Sequence, residues 1–206
     1  NLSDENFDIE SLEDFSQDCF VPLTVGGGIG NASEVQKFLR AGADKVSINS
    51  SAYKNPELIT EIAKIHGSQC VVSSIDVKKL SDNKWQCFSH SGTVETTKMA
   101  NEWAKELEDR GAGEILITSI DNDGTMNGYD LALIESISSS VDIPVIASGG
   151  AGSYQDMIDA VKISGASAVA AASIFHFTEQ TPKEAKIAMS KAGILIRENY
   201  LDSINS

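Results

Sequence analysis

Val25-Gly26-Gly27-Gly28-Ile29-Gly30, VGGGIG, closes an apolar run and opens a helix-like one, and its reading decides the fold. Ala147-Ser148-Gly149-Gly150-Ala151-Gly152-Ser153, ASGGAGS, does the same much later in the chain. A tight strand-to-helix turn needs glycine for steric reasons alone. A phosphate needs it so that backbone N–H groups can approach the anion, with the following helix N-terminus adding its dipole. An internal duplication would also produce two such turns, and the pattern by itself leaves the three readings open.

Outward from these turns, strand-like runs fall at Val21–Val25, Lys45–Asn49, Cys70–Asp76, Glu114–Ile120, Pro144–Ser148 and Ala168–Ala172, with helical patterns between them. Asn31 followed by Glu34 predicts a capped helix running to about Ala41, and Asn55-Pro56-Glu57 opens the next. Further helices are expected over Thr96–Arg110, Leu131–Ser139, Tyr154–Ile163 and Pro182–Ala192. The pairs Gly42-Ala43, Gly111-Ala112 and Gly165-Ala166 each end a helix just before a strand, as a C-terminal glycine cap does. Strands rich in Val, Ile and Ala, each followed by a helix, imply a parallel sheet covered by helices.

Both a doubly wound open sheet and a (β/α)8 TIM barrel satisfy that pattern. Polar residues close several strands (Asn49, Asp76, Asp121, Ser173), and a site spread over many strand ends favours the barrel. Six βα units are visible where a closed barrel has eight, so the expectation is a single barrel domain over residues 1–206, incomplete at its N-terminal side and comprising strands 3 to 8. The apolar spacing at Phe7, Leu12, Phe15 and Cys19 reads as the tail of a preceding helix. Between Lys78 and Thr93 a longer loop with a strand-like centre, KWQCFSH, predicts a small hairpin over the barrel mouth.

The formal net charge of −14 argues against nucleic acid as a partner and requires any anionic ligand to be held by local dipoles or single cations. No apolar run approaches the roughly 18 to 20 residues of a membrane span. Cys19, Cys70 and Cys87 match no metal or redox spacing, which fits free thiols in a reducing cytoplasm. Asp76 should project into the mouth as a candidate general acid or base, or else as a salt-bridged strand end. Asp123-Gly124-Thr125 is either an anion-binding loop or a plain turn, and His66, His90 and His176 lack any ligand spacing. A Lys and a Glu at the starts of two core strands, Lys45 and Glu114, need partners, most simply each other.

Taken together, PLTVGGGI (Pro22–Ile29), AGADKVSIN (Ala41–Asn49), GSQCVVSSID (Gly67–Asp76), GAGEILITSIDNDGT (Gly111–Thr125), PVIASGGAG (Pro144–Gly152) and AASIFHF (Ala171–Phe177) resemble the cyclase subunits of imidazole glycerol phosphate synthase, the HisF-type barrels of histidine biosynthesis. The resemblance implies a ribulose-phosphate-binding barrel that takes ammonia from a glutaminase subunit. It implies a substrate with a phosphate at each end, and hence two phosphate cups. It places the catalytic acid/base at Asp76, one phosphate at Gly28, Asn49 and Ser50, and the other at Asp123, Gly124, Gly150, Ala151, Ala172 and Ser173. Ser91 falls on the mobile loop, Lys45 and Glu114 at the ammonia entrance, and Asp44 at the glutaminase contact. It implies no metal or organic cofactor. The second catalytic Asp of that family lies on a strand before the first residue here, so the chain by itself is expected to be inactive.

Competing readings are a paralogue that delivers ammonia to a nucleotide-linked sugar, the single-chain phosphoribosyl-formimino isomerase, and a non-catalytic phosphate-binding scaffold. ENFDIESLEDFSQDCF fits the first of these as well as it fits the histidine cyclase.

Overall fold

The computed structural model describes residues 9–81 and 83–197. Helix α1 (Ile9–Gln17) leads into the first βα units: β1 (Thr24–Gly26), α2 (Ala32–Arg40), β2 (Lys45–Ile48), then α3 (Ser50–Lys54) and α4 (Glu57–His66). A long β3 (Val71–Ser81) is followed by β4 (Lys84–Ser89), β5 (Val94–Met99) and α5 (Ala100–Asp109). The chain closes with β6 (Glu114–Ser119), α6 (Leu131–Ser138), β7 (Val145–Ser148), α7 (Tyr154–Lys162), β8 (Ala168–Val169), α8 (Ser173–Phe177) and α9 (Pro182–Lys191).

The parallel strands lie in the order β1-β2-β3-β6-β7-β8. Gly26 stands opposite Ser47, Ser47 opposite Val72, and Val72 opposite Glu114. The third residue of β1 thus aligns with the first of β6, and this progressive stagger is the shear that curls a sheet toward a barrel. Among the described residues β1 and β8 do not pair with each other, so the barrel is partial.

Strand periodicity gives the sheet two unlike faces. Val25, Val46, Ile48, Val71, Ile75, Val77, Ile115, Ile117, Val145 and Ala147 are buried beneath the helices, packed with Leu58, Ile59, Ile62, Trp103, Leu107, Leu133 and Ile137. The alternate residues Lys45, Ser47, Ser74, Asp76, Lys78, Glu114, Leu116, Thr118, Ile146 and Ser148 keep solvent exposure on the concave face. Most of the polar ones sit near the C-terminal ends of the strands, where a barrel places its chemistry.

Local sequence explains the turns. Asn31 accepts from the Glu34 N–H, although Glu34 reaches back to the Gly30 N–H rather than to that of Asn31. After α2, Gly42 at φ 105° donates to the Leu39 carbonyl and Ala43 to that of Phe38. After α5, Gly111 at φ 103° and Ala112 donate likewise to Glu108 and Leu107. These are paired glycine C-caps that satisfy the last carbonyls of the helix.

Three expectations need correction. Asp76 does not end its strand: β3 continues to Ser81 because β4 takes over the edge that β2 leaves, pairing Asp76 with Phe88 and Val77 with Cys87. The helix expected from Thr96 begins at Ala100, since Thr96–Met99 belong to β5 and close a hairpin against β4. The last strand covers only Ala168–Val169, and Ala170–Ala172 instead line a cleft. Phe7, expected in the leading helix, lies outside the described residues.

Candidate functional site

Asp76 faces the mouth from the middle of β3, with Thr118 of β6 beside it and Phe88 of β4 on its other side. The Asn49 amide donates to its Oδ2 at 2.8 Å. Burial pushes the Asp76 carboxyl above its ordinary range, the Asn49 amide pulls it back, the negative charge of Asp123 raises it again, and the Thr118 hydroxyl lowers it. A carboxyl raised by burial and still hydrogen-bonded at the mouth is a candidate for general acid/base chemistry. The Asn49 Oδ1 atom is buried without a partner among the described residues, so the amide has one engaged end and one open end at the site.

The hairpin bends over the same strand ends. His90, Ser91 and Gly92 at its tip take φ values of 52°, 55° and 75°, left-handed at three successive residues. The His90 N–H donates to the Ser50 hydroxyl at 2.8 Å, which leaves the proton of that hydroxyl available to another acceptor. Trp85 on β4 anchors the hairpin from below by donating to Asp130 at 2.9 Å, and Asp130 also caps α6 through the Leu133 N–H.

On the other side of the mouth, Asp123, Gly124, Gly150, Ala151, Ala172 and Ser173 converge on one cleft of about 170 Å³, together with Met126, Ser148, Gly149, Ala170 and Ala171. Gly149 and Gly150 have φ 87° and 109°, and the Gly150 carbonyl accepts from the Gly128 N–H at 2.8 Å, which ties the turn after β7 to the loop after β6. The N–H groups of Gly124, Gly150, Ala151, Ala172 and Ser173 donate to no acceptor among the described residues. Free backbone N–H groups among small side chains are donors suited to an anion, with the Asp123 carboxylate as the charged group of the same wall.

Gly28, Asn49 and Ser50 are arranged differently. Gly28, at φ 71°, has open space around it, while Asn49 and Ser50 already hold Asp76 and the hairpin tip. They follow the ends of β1 and β2, whose ladder closes at Gly26 opposite Ser47. Neither the Asn49–Asp76 contact nor the part played by Met126 and Gly149 was legible in the sequence. Only the resulting φ values, and not the residue types alone, distinguish the lining glycines.

At the opposite end of the sheet Lys45 and Glu114, the first residues of β2 and β6, form a part-buried ion pair across β3. Asp44 accepts from the Leu23 N–H at 2.7 Å and so fixes the entry to β1. Among the described residues, exposed apolar side chains near this same end include Phe20 (91%) and Val21 before β1, Ile65 at the end of α4, and Ile163 after α7. Among the described residues no three His, Cys, Asp or Glu side chains converge as a metal site would require, and no helix is long and apolar enough to cross a membrane.

A curled parallel sheet, helices on its convex side and polar groups at its strand C-termini define a partial (β/α)8 barrel of the enzyme type. The family model described as "Histidine biosynthesis protein" matches residues 2–181, and the chain belongs to that family, whose members are isomerases and cyclases of histidine biosynthesis.

Proposed function

We propose that this chain is a cyclase member of its family, the imidazole glycerol phosphate synthase type. Ammonia released by a separate glutaminase subunit would enter at the Lys45–Glu114 end, pass along the concave face and react at the strand C-termini. There the formimino ribonucleotide closes to imidazole glycerol phosphate and releases aminoimidazole carboxamide ribonucleotide. Asp76 is the acid/base group contributed by this chain. The β7–β8 cleft holds one phosphate, Gly28, Asn49 and Ser50 hold the other, and the Ser91 turn covers the substrate. Asp44 belongs to the glutaminase contact.

The observation that carries the choice between cyclase and isomerase is the Lys45–Glu114 pair. A partly buried ion pair is a poor source of stability, because desolvation offsets most of its Coulomb attraction. An isomerase working without ammonia has no use for charged groups in the floor of its sheet. The exposed Phe20, Val21, Ile65 and Ile163 around the same end support a docking face for a partner.

The test is consumption of the formimino ribonucleotide by the polypeptide carrying residues 1–206 with any upstream units of its reading frame. Ammonia-dependent consumption is expected; its absence from a folded protein would reject the cyclase and favour the sugar-amidating relatives. In the same assay, replacing the pair together (Lys45→Met with Glu114→Leu) should keep ammonia-driven turnover and uncouple glutamine-driven turnover when the glutaminase is present. Equal loss of both rates would show the pair to be structural only. Lys45→Met alone should be less stable than the double replacement, because it leaves the Glu114 carboxylate unpaired.

A further inference from the structure

The β7–β8 cleft offers backbone N–H groups and the Asp123 carboxylate but no cation, in a chain whose net charge is −14. Of the two lysines on the concave face of the parallel strands, Lys45 is engaged by Glu114. The other is Lys78, two residues after Asp76 on β3 and in the same half-exposed phase of the strand. That spacing puts its Cα about 7 Å beyond that of Asp76, farther toward the mouth.

The Lys78 side chain folds over the hairpin: its ammonium lies 4.8 Å from the centroid of the Phe88 ring. Phe88 is the residue opposite Asp76, and it stands two residues before His90, whose N–H holds Ser50. The ammonium therefore sits on the side of the mouth where Asn49 and Ser50 follow β2. Among the described residues Lys78 has no carboxylate within ion-pair distance, whereas Lys98, Lys105 and Arg110 all have one. An aromatic face positions a cation without neutralising it, and the N–H donors that do not face the ring stay available to a ligand.

We propose that Lys78 is a substrate-binding residue: it supplies the cation for the phosphate on the Gly28–Asn49–Ser50 side. This rests on the reading of the mouth as a site for a ligand with two phosphates. The two sides are thereby unlike, one lined by backbone N–H groups with no cation, the other cationic and beside the hairpin. A bisphosphorylated ligand would be drawn first to Lys78 by charge and seated afterwards in the β7–β8 cleft.

The experiment is calorimetric titration with ribulose 1,5-bisphosphate at two salt concentrations, on the unaltered chain, Lys78→Gln, Lys78→Arg and the control Lys79→Gln. Lys78→Gln should weaken binding by about tenfold to a hundredfold and flatten the salt dependence, as loss of a charge-assisted hydrogen bond to phosphate does. Lys78→Arg should restore most of the affinity, and Lys79→Gln should match the unaltered chain. On the unaltered chain, the bisphosphate should protect Lys78 but not Lys79 from amine acetylation, a readout independent of how any variant folds. Binding by the unaltered chain with Lys78 unprotected, or with Lys78→Gln at full affinity, overturns the role of Lys78 alone. No binding by the unaltered chain overturns the two-phosphate reading of the mouth as well.

Discussion

Asp76→Asn is expected to lower ammonia-dependent turnover by about a hundredfold to ten-thousandfold, the usual worth of a positioned acid/base group, and at the same time to raise stability near neutral pH. The two effects have one cause. Burial holds the folded carboxyl above its ordinary value of 3.8, so the folded state keeps the proton over a range of pH in which the unfolded chain has lost it. Stability contributed by this group is then complete below 3.8 and declines as pH rises toward the folded value. Asparagine has no proton to lose and can still accept from the Asn49 amide through its carbonyl oxygen. Urea unfolding of both proteins across the acid to neutral range should show their midpoints converging at the acid end and the variant pulling ahead as pH rises. A variant less stable than the parent at neutral pH would mean that the Asn49 and Thr118 contacts outweigh burial, and that Asp76 is a structural strand residue.

The sequence was most informative where chemistry is local. Gly42, Gly111 and the Asn31 cap mark their helix ends because a left-handed residue or a capping side chain acts within a few residues of the chain. The runs Lys45–Asn49 and Glu114–Ile120 were legible as strands from their apolar content, and the structure adds an alternation of buried and half-exposed residues along them. The partnership of Lys45 with Glu114 followed from the cost of leaving either charge unpaired.

What could not be read depends on partners distant in sequence. The extension of β3 past Asp76 uses a change of neighbour from β2 to β4, and nothing in Val77-Lys78-Lys79 announces it. Thr96–Met99 adjoin a helical pattern, and only the ladder to Gln86 and Phe88 settles them as strand. Asn49 was legible as a polar strand end but not as the donor to Asp76, because the contact joins residues 27 apart in the chain. In the β7–β8 cleft, by contrast, each Gly-rich turn with its neighbouring strand end already names most of the wall. Small residues there do one geometric job, which is to bring backbone N–H groups to the surface.

Gly150→Ala tests that job and should be strongly destabilising, by about 3 kcal/mol or more. Gly150 has φ 109°, a conformation alanine adopts only under strain. An added Cβ would lie 2.2 Å from the Gly128 carbonyl oxygen and 2.9 Å from its carbon, both backbone atoms. The loop cannot simply retreat, because that same oxygen accepts from the Asn122 amide at 2.8 Å while the Gly128 N–H donates to Gly150 at 2.8 Å. Relief of the clash therefore breaks hydrogen bonds that hold the cleft wall. Gly124→Ala is the matched comparison: its φ is 76°, also left-handed, but no atom lies within 4 Å of the added methyl. Backbone strain alone should cost it about 1 kcal/mol. The two urea midpoints, measured side by side, separate strain from packing. Similar shifts would mean that the turns after β6 and β7 are not braced against each other, and the cleft would then not be a preformed receptor. A large shift for Gly150→Ala, with bisphosphate binding lost in buffer where the variant is still folded, would assign to the glycine the shape of the phosphate seat as well as the turn.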